Sequence, residues 1–150
     1  KNVLAVNHTL DDRYDKNKIV THNKVKKECL SVSELMPLLN TKDYINSDVV
    51  VIEEAQFFKD LFRFVVKSSD ENNKIVVVAG LDGNFKREPF GDILNLIPYA
   101  ESVIKLHALC MKCGDGTKAS FTKRTIKDKH EILIGSTEEY VPVCRKHYLE

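Results

Sequence analysis

Cys110-Met111-Lys112-Cys113 and Cys144-Arg145-Lys146-His147 each set two soft metal ligands three positions apart. Tetrahedral zinc takes about four such ligands, and a two-residue spacer lets a tight turn present both members of a pair to one ion. Cys110, Cys113 and Cys144 as thiolates with His147 as a neutral imidazole therefore read as a structural zinc set. Four protein ligands leave no open position for a reacting water, so the ion is expected to hold structure rather than react. A redox Cys-x-x-Cys would sit between a strand and a helix of a βαβ unit. Here Gly114-Asp115-Gly116 follows and reads as a turn. Lys112, Arg145 and Lys146 offset part of the thiolate charge.

A second constellation is Val49-Val50-Val51-Ile52-Glu53-Glu54-Ala55-Gln56-Phe57-Phe58. Four apolar strand residues deliver two carboxylates to the strand's C-terminal end, where open α/β sheets bind ligands. One acid there can hold magnesium on a nucleotide, and its neighbour can accept a proton from a hydroxyl nucleophile. The same pair equally suits the start of a following helix, whose dipole favours negative charge. A third segment, Gly80-Leu81-Asp82-Gly83-Asn84-Phe85-Lys86-Arg87-Glu88-Pro89-Phe90-Gly91, follows another strand and falls on the same rim. Its glycines permit close ligand approach, and Phe85 and Phe90 suit either the wall of an aromatic pocket or packing of the loop on the core. Ala119-Ser120-Phe121-Thr122-Lys123-Arg124 reads by itself as a solvated basic turn.

These groups need a frame. Apolar, β-branched runs at residues 3–6, 49–52, 75–79 and 103–106 read as strands, and their continuous character predicts a parallel sheet covered on both faces. Ser31-Val32-Ser33-Glu34 has capping-box spacing ahead of Leu35, Leu38 and Leu39, with Pro37 in the tolerated first turn. Phe57, Phe58, Leu61, Phe62, Val65 and Val66 form a helical apolar face, which the polar stretch 68–73 should end. Alternating strand and helix predicts a doubly wound α/β domain over residues 1–107. A small zinc-held appendage over 108–150 should carry a short strand at residues 131–134. With 150 residues, 43% apolar and 30% charged, the chain is long enough for one domain with a satellite. A net charge of +1 gives no bulk reason to expect nucleic acid or an anionic membrane. No apolar run is long enough to span a bilayer, and no signal-peptide pattern opens the chain. The cysteine pattern fits a reducing compartment, with Cys29 left over as a buried apolar thiol.

Together the segments resemble the type II, zinc-containing thymidine kinases of the cellular and poxviral kind. The family's Asp-Glu-Gly/Ala-Gln-Phe-Phe appears as Glu53 to Phe58. Its Leu-Asp-Gly-Thr-Phe-x-Arg-x-Pro-Phe-Gly appears as Leu81 to Gly91. Ile93-Leu94-Asn95-Leu96-Ile97-Pro98, Ala100-Glu101-Ser102-Val103, Cys110-x-x-Cys113, Phe121-Thr122-Lys123-Arg124, Tyr140 before Cys144, Asp11-Asp12-Arg13-Tyr14 and Thr21-His22 follow the family's order. The resemblance covers essentially the whole chain. It implies a P-loop/RecA-like kinase core and a zinc-binding lasso that closes over the nucleoside. Glu54 would be the base that takes the 5′-hydroxyl proton, and Glu53 would help hold magnesium with ATP. Asp11, Asp12 and Arg13 would lie near the phosphates. Phe57, Leu81, Phe85 and Phe90 would wall the thymidine pocket. Thr122 and the backbone of Glu131, Ile132, Leu133, Ile134 and Gly135 would read the base, and Tyr140 would help close the site. Cytoplasmic location, a homotetramer and feedback inhibition by thymidine triphosphate are implied in the same way.

Three departures stand out. Glu53 replaces an Asp, one methylene shorter. His147 replaces the Cys of many members, which zinc accepts. The family also opens with a glycine-rich phosphate loop ending in Gly-Lys-Ser/Thr, and these 150 residues contain none. By themselves they are expected to be nearly inactive, and the expectation is an active kinase whose N-terminal piece precedes Lys1. The alternative is a non-catalytic nucleoside-binding or interaction module. A zinc-ribbon nucleic-acid binder fits poorly with the near-neutral charge and the lack of a basic stripe.

Overall fold

The computed structural model describes residues 1–10, 18–20, 26–125 and 139–150. In chain order these form β1 (Val3–His8), β2 (Lys18–Val20), β3 (Lys26–Glu28), β4 (Leu30–Val32), a 3-10 turn at Met36–Asn40, α1 (Lys42–Asn46) and β5 (Val49–Ile52). A 3-10 turn at Ala55–Phe57, α2 (Leu61–Val66), a π-turn at Lys67–Glu71, β6 (Ile75–Val78) and a 3-10 turn at Leu94–Tyr99 come next. β7 (Ala108–Leu109), β8 (Lys118–Ala119), β9 (Phe121–Arg124), β10 (Tyr140–Val143) and α3 (Arg145–Leu149) close the chain. Two compact units result: Lys1–Asp82 with Pro89–Ala100, and Gly83–Glu88 with Glu101–Glu150.

The first unit holds a parallel sheet in the order β4-β1-β5-β6, with helical segments packed against it, as an α/β reading requires. Val6, Val50 and Ile52 point into one core with Leu35, Phe58, Leu61 and Phe64, all essentially without solvent exposure. Their burial is the main stabilising term, on the order of 1.5–3 kcal/mol per large apolar side chain. The two faces are unequal among the described residues. Val3 is 49%, Ile75 47% and Val77 48% exposed, so the cover expected on both faces is incomplete on one of them. A continuous apolar run reports the face that is packed and cannot report how well the other is covered.

Three local expectations also change. Ser31 does not open a helix but lies in β4, paired with Asn7. The turn that follows is capped from a distance: Asp60 Oδ2 accepts from the backbone N–H of Leu35 and Met36 at 2.8 and 2.7 Å. The polar stretch 68–73 does not end the helix at once, because a π-turn continues to Glu71 with Ser68 fully buried. The Ser68 hydroxyl accepts from Tyr44 Oη at 2.9 Å, which makes its burial tolerable. Residues 103–106 form no strand. Val103, Ile104 and Leu106 are exposed, and no described strand pairs with them; an extended segment without a ladder partner is not a strand. Cys29 is half-buried rather than fully buried.

In the second unit β7 pairs with β8 and β9 pairs with β10, both antiparallel. Its buried core among the described residues is only Cys110, Ala119 and Val143. Among these residues a metal staple would add what so small an apolar core does not.

Candidate active site and metal centre

β5 ends at Ile52, and the chain there crosses the carboxyl rim of the sheet. Glu53 N–H donates to Val6 O at 2.9 Å, and Ala55 N–H donates to Ala79 O at 3.0 Å, so both neighbouring strands hold the turn. Between these anchors Glu54 adopts φ 51° and ψ 39°, a left-handed conformation that a β-carbon disfavours. Strain of this kind costs on the order of 1–3 kcal/mol and persists where the surroundings over-determine it, which happens most at functional sites. The surroundings here are Gln56, which is 4% exposed. Its Nε2 donates to Glu54 Oε2 at 2.6 Å, and its Oε1 accepts from Leu81 N–H at 3.0 Å. One buried amide thus holds the carboxylate and the start of the following loop together.

Two glycines make room for Gln56, one for its side-chain amide and one for its backbone. A Cβ at Gly80 would lie 2.4 Å from Gln56 Oε1, and one at Gly91 would lie 2.4 Å from the Gln56 carbonyl oxygen. Gly91 also has φ 59°, so any side chain there is disfavoured twice. Phe57 and Phe90 meet edge to face, with ring centroids 5.6 Å apart. The imidazole of His8, at the end of β1, packs against Phe57 and Phe58 with centroids 5.7 and 4.6 Å away. Burial lowers the His8 pKa from its ordinary value, against a hydrogen bond with the Ser33 backbone and the charge of Asp60, and so favours the neutral ring. Its Nδ1 accepts from Leu10 N–H at 3.0 Å.

The metal set is compact. Ligand atoms of Cys110, Cys113, Cys144 and His147 all lie within 4.8 Å of one another. A tetrahedral zinc with bonds of about 2.3 Å to sulfur and about 2.0–2.1 Å to nitrogen needs edges of about 3.8 Å (S···S) and about 3.6 Å (S···N). Cys113 Sγ to Cys144 Sγ is 3.8 Å, and His147 Nδ1 lies 3.5, 3.4 and 3.4 Å from the sulfurs of Cys110, Cys113 and Cys144. Both the donor chemistry and the edge lengths fit zinc. Burial raises the Cys110 thiol pKa, but hydrogen bonds from the backbone of Cys144 and Cys113, His147 and the Lys112 backbone outweigh it and bring the value down to about 6. Burial and the neighbouring Cys110 push Cys113 up to about 11. Such opposite shifts mark sulfurs crowded around one point, where a cation would hold them all as thiolates.

The strap between the pairs begins with β9. Thr122 lies opposite Pro142 of β10, and both are half-buried. Arg124 lies over the rings of Phe85, 3.9 Å from the centroid, and Tyr140, 5.1 Å away, and its Nε donates to Tyr140 Oη at 3.1 Å. The Phe85 and Tyr140 centroids are 6.4 Å apart.

A family model described as thymidine kinase matches residues 1–148. The chain belongs to the thymidine kinase family. A thymidine kinase of Oryza sativa subsp. japonica is 45% identical over 153 residues, covering 100% of this chain and 56% of the relative. Thymidine kinase a of Arabidopsis thaliana is 43% identical, with 99% and 63% covered. The thymidine kinase of Yaba monkey tumor virus is 45% identical, with 98% and 78% covered. The chain therefore spans only about three-fifths of the plant relatives' length. Plant and poxviral relatives together accord with the type II class that the motifs resemble.

Of the expected thymidine kinase positions, Glu53, Glu54, Phe57, Leu81 and Phe90 fall in the first unit, and Phe85, Thr122 and Tyr140 fall in the second. Within each unit Phe57 meets Phe90 and Phe85 meets Tyr140, while Leu81 is 47% exposed. Asp11, Asp12, Arg13, Glu131, Ile132, Leu133, Ile134 and Gly135 lie outside the described residues, as does the expected strand at 131–134. Sequence reasoning gave no role to Gln56, His8 or Arg124. The signal for Gln56 was its place two residues past the base candidate. For His8 the only signal was its place at a strand's carboxyl end.

Proposed function

We propose that the protein containing this chain transfers the γ-phosphoryl group of ATP to the 5′-hydroxyl of thymidine or deoxyuridine, a salvage step toward DNA synthesis. The observation that carries the reading is Glu54, in left-handed backbone at the rim of a parallel sheet with its carboxylate gripped by Gln56. The names of the relatives support the substrate. In this reading Glu54 takes the 5′-hydroxyl proton as the oxygen bonds to the γ-phosphorus. The bond to the bridging oxygen breaks, and ADP leaves with its electron pair. Glu53, a half-buried carboxylate with hard oxygen donors on the same rim, suits magnesium, together with Asp11 and Asp12. Magnesium would neutralise phosphate charge there. Arg13 would pair with phosphate oxygens.

Phe57, Leu81, Phe85 and Phe90 would wall the base, and Thr122, Tyr140 and the backbone of 131–135 would read and cover it. Zinc at Cys110, Cys113, Cys144 and His147 would hold the lasso without reacting. The order β4-β1-β5-β6, with acids at the carboxyl end of β5, supports a P-loop/RecA-like core over residues 1–107, with the lasso over 108–150. A cytoplasmic homotetramer inhibited by thymidine triphosphate completes the proposal.

Glu54→Gln in the full-length protein keeps the shape and removes the base. Turnover should fall by on the order of 10²–10⁴-fold, while thymidine binding by calorimetry stays within a few fold. Near-normal turnover would sink the assignment.

A further inference from the structure

The loop that carries Phe85 is held by the helix that carries the candidate metal ligand His147 and has a second, Cys144, at its N-cap. Asn84 shapes the loop from within: its Oδ1 accepts from the N–H of Lys86 and Glu88 at 2.9 and 3.0 Å. Arg87 nevertheless sits at φ 66°, a left-handed value that a long side chain disfavours. Something outside the loop must stabilise that conformation. In α3, Tyr148 directly follows the ligand His147, and its hydroxyl donates to the Phe85 carbonyl at 2.8 Å. The strained Arg87 lays its guanidinium over the Tyr148 ring, 4.5 Å from the centroid, and 5.8 Å from that of Phe121. Phe121 and Tyr148 are themselves in ring contact at 5.5 Å. Lys123 of β9 donates to the His147 carbonyl at 2.9 Å, which ties the helix back to the hairpin.

α3 has five residues, well below the length at which a helix is stable by itself. Its place must come from its contacts, and a bound zinc would add two at its start and middle, through the N-cap residue Cys144 and through His147. Phe85 is therefore one hydrogen bond away from a short helix that a bound ion would anchor.

We propose that Tyr148 is a positioning residue that couples zinc occupancy to the placement of Phe85 in the nucleoside pocket. The pocket half of this statement rests on the function proposed above; the coupling half does not. Tyr148 touches neither substrate nor metal in this assignment. It transmits the position of α3 through its hydroxyl to the loop backbone and through its ring to Arg87.

The chain contains no Trp, so Phe85→Trp introduces one reporter into it. In the full-length protein with this reporter, stripping zinc with a chelator should red-shift the emission and increase acrylamide quenching, and zinc should restore both. Adding Tyr148→Phe to the reporter protein should give most of the same shift while bound zinc stays at one equivalent. Arg87→Ala serves as a second probe of the same contact if Tyr148→Phe folds poorly. Without the reporter, Tyr148→Phe should raise the thymidine KM by about three- to tenfold, the effect of losing one hydrogen bond, with kcat within about twofold. Unchanged emission in both zinc-loaded variants overturns the coupling. A coupled reporter, together with a protein that without the reporter does not phosphorylate thymidine, would instead refute the function and leave the coupling standing.

Discussion

The conformation of Glu54 is a residue-scale problem with a residue-scale solution. A carboxylate in left-handed backbone, next to a second carboxylate, will not stay aimed unless something holds it. Gln56 does so with one amide, donating to Glu54 and accepting from Leu81 N–H. Removing the amide should therefore damage the base more than the pocket. Gln56→Ala should lower kcat by on the order of 10²-fold, the usual cost of a misplaced catalytic group, with a smaller change in thymidine KM. Steady-state kinetics on the full-length protein checks this. A raised KM with intact kcat would mean that Gln56 serves the Leu81 loop instead. The adjacent Glu pair was legible in the sequence as candidate chemistry. The grip was not, because the amide's second partner, Leu81, lies twenty-five residues further along the chain.

At the scale of elements, the turn Met36–Asn40 shows how a local rule can be overridden. Ser31 to Glu34 have the spacing of a capping box, yet β4 takes Ser31 into the sheet. Ladder bonds to β1 satisfy its backbone instead. The turn's free N–H groups then go to Asp60, more than twenty residues away in sequence. Asp60 Oδ1 is buried with no partner among the described residues, so the carboxylate is held for its other oxygen. Asp60→Ala would leave two N–H groups without an acceptor and should destabilise the protein by about 2–4 kcal/mol in chemical denaturation. Asp60→Asn should cost less, since its carbonyl still accepts. Equal, small effects from both would show that water replaces the cap. The strand expected at 103–106 failed for the complementary reason. Its composition suits a strand, but pairing is a property of neighbours, and no described strand supplies one.

At the scale of the whole molecule, the two units are stabilised differently. The first has a continuous apolar core under its sheet; the second has, among its described residues, three buried apolar ones and a four-ligand cluster. Folding of the second unit should therefore be linked to metal. Cys113→Ala removes one of the four ligands. It should abolish stoichiometric zinc binding and make the remaining cluster thiols reactive toward a thiol reagent. It should also weaken thymidine binding by at least about tenfold, as losses in a metal site's support commonly do. Full zinc content in that variant, or unchanged thymidine affinity, would break the link between clasp and substrate.

What the sequence determined by itself is what depends on residue type at short range. The two-residue spacers of the metal pairs, the apolar run before Glu53 and the ordered motifs each need only a few neighbouring residues, and the family could be read from them. What only the tertiary structure decided depends on residues distant in the chain. Examples are which face of the sheet is covered, which carboxylate caps the turn after β4, and which side chain holds Glu54. The tie from Phe85 to Tyr148 spans sixty-three positions, and nothing local distinguishes that Tyr from any other aromatic residue beside a metal ligand. Hydrogen bonds and ring contacts of this kind are set by folded geometry, so sequence spacing carries no trace of them.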